Sequence, residues 1–237
     1  MSAVTISRRQ EQNHLLLALP RSDYERLRPD LRAVSLPHGT VLFEARERIT
    51  HVYFPQECVV SLLTPMHDGP GVEVAIVGNE GMVGVSIFLG TDRCSMQAVS
   101  QVADGARRLT VAAFRRALAW GTAFQRIMLR YTGTILDQVA QCAACNQRHR
   151  VEQRCARWFL MTQDRVGADH FALTQEFLGQ MLGVQRPTVS IAASRLQATG
   201  AIHYSRGQVT VTDRACLEQL TCSCYRIMRD NDARSFA

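Results

Sequence analysis

From Phe171 to Asp213 the apolar residues change period in a fixed order. Phe177, Leu178, Met181 and Leu182 recur at three- and four-residue steps, which predicts a short helix. Thr174 is its expected N-cap, followed by Gln175 and Glu176, and Gly183 its expected stop. Gln185 opens a second predicted helix with Pro187 in the first turn, where a missing N–H costs nothing. Val189, Ala192, Ala193 and Leu196 make its apolar face, which leaves Arg186, Thr188, Ser190, Ile191 and Arg195 outside it. Gly200 ends the helix. Ile202, Tyr204, Val209 and Val211 then alternate around Arg206-Gly207, as two short strands joined by a turn would.

Upstream the period is that of strands. Runs at 40–43, 51–54, 58–63, 72–77, 95–102 and 108–110 are separated by Gly, Pro or charged breaks, one of them Asp68-Gly69-Pro70-Gly71. Many short strands at regular spacing indicate a sandwich or roll. The Gly-rich stretch from Gly78 to Gly84 is expected to open a short helix through Leu89. From Thr122 to Asn146 the helical period returns, with apolar residues at Phe124, Ile127, Met128, Tyr131, Ile135, Val139, Cys142 and Cys145. Such a helix is about 37 Å long. Because the stripe joins two dissimilar regions, Phe124, Met128, Tyr131 and Ile135 are expected to form a dimer seam. Packing within the chain is the alternative.

Helix, Gly turn, helix with an early Pro, Gly stop and hairpin together outline a winged helix-turn-helix. That motif places one helix in a DNA major groove. Composition fits without deciding the matter. The 237 residues suffice for about two domains, 46% are hydrophobic, and the net charge is +6. All 27 basic residues are Arg, and +4 of the charge lies from Arg148 onward, which modestly favours phosphate contact. No apolar run approaches the roughly 20 residues that cross a bilayer. The N-terminus lacks the pattern of a signal peptide, so a cytoplasmic protein with no membrane partner is expected. The His and acidic residues are scattered without a catalytic motif, and no enzyme activity is expected.

Eight cysteines raise the question of metal. Cys142-x-x-Cys145 has the spacing of half a zinc site, but Cys222-x-Cys224 does not supply a matching pair. In a reducing compartment the cysteines read as small buried hydrophobes, and no metal is expected; a redox sensor is the alternative.

The whole layout resembles the Crp/Fnr superfamily of bacterial transcription regulators, from about His14 to Tyr225 and most specifically over Leu173–Ser190. The resemblance implies an α+β chain. A cyclic-nucleotide-binding-like β-roll (a double-stranded β-helix) spans 12–121, a long connecting and dimerisation helix 122–147, a winged helix-turn-helix 148–221, and a tail 222–237. Arg186 matches the position that reads guanine in the family's cyclic-AMP receptors. Ile191 stands where those receptors carry a second base-reading Arg, and Pro187 where they carry an acid, which implies a different operator. The implied partners are a palindromic duplex DNA, a second copy of the chain and RNA polymerase. Thr174, Gln175, Gln185, Arg186, Thr188, Ser190, Arg195 and Arg206 are the implied DNA-binding residues.

On the effector side, Gly78-Asn79-Glu80-Gly81 and Arg93-Cys94-Ser95 resemble the family's phosphate cassette in a degenerate form. Glu80, Arg93 and Ser95 are the effector residues this implies. The strand that follows puts Ser95 at the place of the phosphate-binding Arg, so a cyclic nucleotide is considered but not favoured, and no other cofactor is expected. No Cys precedes Cys58, which argues against the iron–sulfur cluster of the family's oxygen sensors. A protein whose helix-turn-helix binds another protein is the remaining alternative.

Overall fold

The computed structural model describes residues 11–67, 69 and 71–234, with Thr122 described in its backbone alone. The turn read at Asp68 and Pro70 and the N-terminal residues 1–10 lie outside the described residues. Two short helices, α1 (His14–Ala18) and α2 (Arg21–Leu27), lead into the strand region. Seven strands follow: β1 (Arg32–Leu36), β2 (Val41–Phe43), β3 (His51–Pro55), β4 (Val59–Thr64), β5 (Val72–Val77), β6 (Gln97–Val102) and β7 (Asp104–Thr110). They form two antiparallel sheets, ordered β1-β7-β3 and β2-β6-β4-β5. The helix expected through Leu89 is a single 3-10 turn at Val85–Ile87.

Then come α3 (Val111–Leu118), the long α4 (Thr122–Arg148) and α5 (Val151–Val166). The C-terminal unit continues with β8 (His170–Ala172), α6 (Gln175–Leu182), α7 (Arg186–Ala198), β9 (Ile202–Ser205), β10 (Gln208–Val211), α8 (Arg214–Leu220) and α9 (Cys224–Arg234). The stretch read as a tail is therefore largely a helix, and α9 packs on α4 and α5.

The sheet β2-β6-β4-β5 is buried on both faces over its central strands β4 and β6 and the end of β5. Val60, Leu62, Ala75, Val77 and Ala98 point into the roll, against α1, α2 and the first half of α4. Val59, Leu63, Ile76 and Val99 point the other way, into a second core with Trp158 and Phe159 of α5 and with Leu178 and Met181 of α6. Two-sided burial explains why Val59-Val60-Ser61-Leu62-Leu63 is a continuous buried run with no polar alternation. The roll and the C-terminal unit thus share one sheet as a wall.

The seam residues are corrected by this packing. Phe124, Met128, Tyr131 and Ile135 lie in the first core of their own chain, with Phe124 edge-on to Phe114 at 5.5 Å and Tyr131 Oη donating to Met82 O at 2.9 Å. The face of α4 turned away from the core carries Leu129, Gly133, Leu136, Ala140 and Ala143, all exposed. Leu129 and Leu136 are 61% and 67% exposed, large values for leucine.

Candidate nucleic-acid interface

The helix-turn-helix is built as the residue pattern indicates. Thr174 Oγ1 accepts from Phe177 N at 3.2 Å and caps α6, whose C-cap is Gly183 in the left-handed region at φ 61°. Val184 N donates to Gly179 O at 2.9 Å and closes the turn. A Cβ on Gly179 would lie 2.9 Å from Val184 O, so only glycine fits there. Buried Arg154 of α5 donates to Leu182 O, which places a cation on the C-terminal carbonyls of α6. Gln185 is the N-cap of α7, with Pro187 in the first turn.

Val189, Ala192, Ala193 and Leu196 are buried, which fixes the outward face of α7 as Arg186, Pro187, Thr188, Ile191, Ser194 and Arg195. Ser190 is half-buried at the edge of that face. Ile191 is 55% exposed, an apolar group presented among polar ones. Arg186 and Arg206 enter no ion pair among the described residues, whereas Arg195 is held by Glu152 of α5. Thr174 is spent on its cap, and Gln175 beside it is half-buried.

In the wing, β9 and β10 pair antiparallel and β8 adds a third strand. Arg206 occupies the tip at φ 50°, a backbone region uncommon for a side chain of its size. Tyr204 Oη donates to Leu173 O at 2.8 Å, and Tyr204 N donates to Gln197 Oε1 at 2.7 Å. These bonds tie the wing to α7 and to the segment that leads into α6.

The helix-turn-helix leans on the roll. α6 packs on β5, the Gly183 turn lies against Val72, and His38 stacks edge-on to Phe177 at 4.9 Å. Beside this contact a cleft of about 520 Å³ is lined by Gly71, Val72, the α6–α7 turn and Arg186.

The three effector residues do not meet. Arg93 is exposed and donates to Arg46 O at 2.6 Å, and Ser95 is exposed on the same edge. Glu80 is buried elsewhere. Its carboxylate accepts from Gly78 N at 3.2 and 3.1 Å and from Arg165 Nε at 2.9 Å. Arg165 belongs to α5, and its remaining nitrogens reach Met161 O at 3.1 Å and Asp232 of α9 at 3.1 Å. A Cβ on Gly78 would lie 2.6 Å from the Arg165 stem, and one on Gly81 2.5 Å from Tyr131 Oη. The Gly78–Gly81 segment, which looked like a phosphate cassette, is a latch between the roll and α5.

A second buried carboxylate joins the same units. Glu73 of β5 accepts from Trp158 Nε1 at 3.0 Å and from Ser61 Oγ. Burial pushes it up to about 7, against the opposing pull of Ser61, Arg157 and Trp158.

Residues 153–220 match the Crp-like helix-turn-helix domain family. No curated protein sequence matches the chain. Among solved structures, the chain is similar to FixK2 from Bradyrhizobium japonicum, with a TM-score of 0.69 and 19% identity over 81% of this chain and 98% of that one. It is also similar to a CRP-family transcriptional regulator from Thermus thermophilus, with a TM-score of 0.64 and 18% identity over 78% and 95% of the two chains. A third is the c-di-GMP-responsive regulator CLP from Xanthomonas campestris, at a TM-score of 0.62 and 15% identity over 81% and 99%. The chain joins a Crp-like helix-turn-helix domain to the fold these structures share.

Proposed function

On a chain with the Crp/Fnr fold and a Crp-like helix-turn-helix domain, we propose that α7 reads a palindromic DNA operator as part of a homodimeric transcription regulator in the cytoplasm. The observation that carries this reading is the outward face of α7, where Arg186, Thr188 and Ile191 stand clear of the core at the helix start. Arg186 donates two hydrogen bonds to guanine O6 and N7, Thr188 and Ser190 contact base edges or phosphates, and Ile191 meets a thymine methyl. Gln175, Gln185 and the amides at the start of α6 hold phosphates, and Arg206 reaches the flanking backbone from the wing. Arg195 contributes to this interface only after leaving Glu152.

The dimer forms through the outward face of α4. Leu129, Gly133, Leu136, Ala140 and Ala143 repeat at alternating four- and three-residue steps, the spacing of a coiled-coil seam. The small residues let two helices approach closely. The latch speaks against a cyclic-nucleotide effector held by Glu80, because that carboxylate is engaged with Arg165 and Arg93 lies on another surface.

Binding selection from random duplexes with the full chain tests the reading. Two half-sites one helical turn apart, about 34 Å, are expected. Arg186→Ala should weaken specific binding by about 1–3 kcal/mol and relax one base pair per half-site. Selection of no sequence, or an unchanged preference in the variant, would refute the assignment.

A further inference from the structure

The end of α4 and the entry to α9 gather four metal-ligating side chains that neither the DNA interface nor the latch uses. Cys145 lies in the last turn of α4, and His149 is its C-cap, four residues on and so on the same face. Cys222 precedes α9, and Cys224 is its first residue. Cys145 Sγ lies 3.6 Å from Cys222 Sγ, and Cys224 Sγ lies 3.5 Å from His149 Nδ1. All four donor atoms fall within 4.8 Å of one another. The three cysteines form a small core of their own, apart from the two large ones, and are 3% exposed or less.

We propose that Cys145, His149, Cys222 and Cys224 bind one zinc-class divalent cation in a closed tetrahedral site that clamps the C-terminal helix to α4. Zinc–sulfur bonds of about 2.3 Å and zinc–nitrogen bonds of about 2.0–2.1 Å give tetrahedron edges of about 3.8 Å for S···S and about 3.6 Å for S···N. The two observed spacings fall about 0.2 Å or less inside those edges. Four protein ligands leave no open position, which is the arrangement of a structural rather than a catalytic zinc.

The surroundings fit the charge of such a centre. On binding, the cation displaces the thiol protons to solvent, so three thiolates against a dication leave one net negative charge. Arg157 is buried, and its guanidinium contacts sulfur atoms of Cys142, Met161 and Met228 at 3.6, 3.4 and 3.4 Å. Its charge acts on Cys142, Cys145 and Cys222 together. Glu73 is the one carboxylate among the groups that act most strongly on Arg157, and the filled site adds a second anion on the sulfur side of this buried cation. Gln141 Nε2 donates to Cys224 Sγ at 3.0 Å, an outer-shell bond of the kind that orients a thiolate ligand. Cys142 is turned to Arg157 and stays outside the ligand set.

Two features hid the site from the linear sequence. The ligands sit on both sides of a 77-residue separation between Cys145 and Cys222. Cys222-x-Cys224 also does not repeat the Cys142-x-x-Cys145 spacing, but Cys222 lies outside α9, so its side chain does not follow helical geometry.

The experiment is a cobalt(II) titration of the full chain, reduced and freed of metal. One cobalt per chain is expected, with the intense visible absorption of a tetrahedral thiolate site, displaced by one equivalent of zinc. His149→Ala and Cys224→Ser should each weaken cobalt binding more than about tenfold, and Cys216→Ser, outside the cluster, should leave it unchanged. Zinc should raise the melting temperature of the unmodified protein and not that of Cys222→Ser. The proposal is overturned if the unmodified protein shows only the faint spectrum of octahedral cobalt, or if His149→Ala binds as well as the parent. A Cys145–Cys222 disulfide in protein whose thiols were blocked at lysis also overturns it.

Discussion

Removal of the Glu80 carboxylate tests whether the roll and the reader are held as one body. In Glu80→Ala, Arg165, only 4% exposed in the intact pair, loses its partner at 2.9 Å. Stripping one member from a buried pair costs about 3–5 kcal/mol, because the other charge is left in a poorly solvating site. Asp232 still faces Arg165 at 3.1 Å, so the lower end, about 3 kcal/mol, is expected. Against a typical stability of about 5–15 kcal/mol, that is a large fraction of the total. Urea denaturation at neutral pH is the assay, with the midpoint falling at constant slope. The double variant Glu80→Ala with Arg165→Met separates charge from contact. With no charge stranded, its loss should be well below the sum of the two single losses. A Glu80→Ala cost below about 1 kcal/mol, the range of exposed pairs, would refute the latch and return Glu80 to the pool of effector residues.

Leu136→Glu should convert the dimer to a monomer in light scattering while leaving the melting temperature near that of the parent, because Leu136 is 67% exposed on its own chain. Met128→Glu, which buries a charge in the first core, should instead unfold the roll; two equally stable monomers would sink the reassigned seam. Glu73 governs a pH dependence whose sign is fixed. Its folded pKa of about 7 lies above the ordinary carboxylate value, so the fold holds that proton more tightly than the unfolded chain does. Its contribution is therefore complete below about pH 4.3 and lost as the pH rises to about 7, a fall of about 3 kcal/mol. Glu73→Gln should flatten that part of the stability profile, and a profile parallel to the parent's would disprove the assignment.

The residue pattern by itself determined the reader. Capping at Thr174, the stops at Gly183 and Gly200, Pro187 in the first turn and the Arg206-Gly207 hairpin act within a few residues, and local backbone chemistry is legible along a chain. The boundaries of α7 shifted by one residue at each end from those read in the sequence. Most of the strands were legible too, since period-two runs and turn residues are also local, although β1, β8 and the helix α9 were not seen.

Only the tertiary structure decided which apolar face of α4 turned inward. Phe124, Met128, Tyr131 and Ile135 make the more apolar stripe, and the roll and α3 were there to bury it before any partner could. It also decided the roles of Glu73 and Glu80. A carboxylate in a strand or a Gly-rich turn carries no local sign of what will cover it, and α5 covers both from 85 residues away. The cysteine and histidine cluster has the same origin: its four ligands come from two helix ends whose meeting depends on the packing of α9 against α4. Long-range contacts set burial, and burial sets charge, pairing and coordination, so these roles belong to the fold rather than to any segment of the chain.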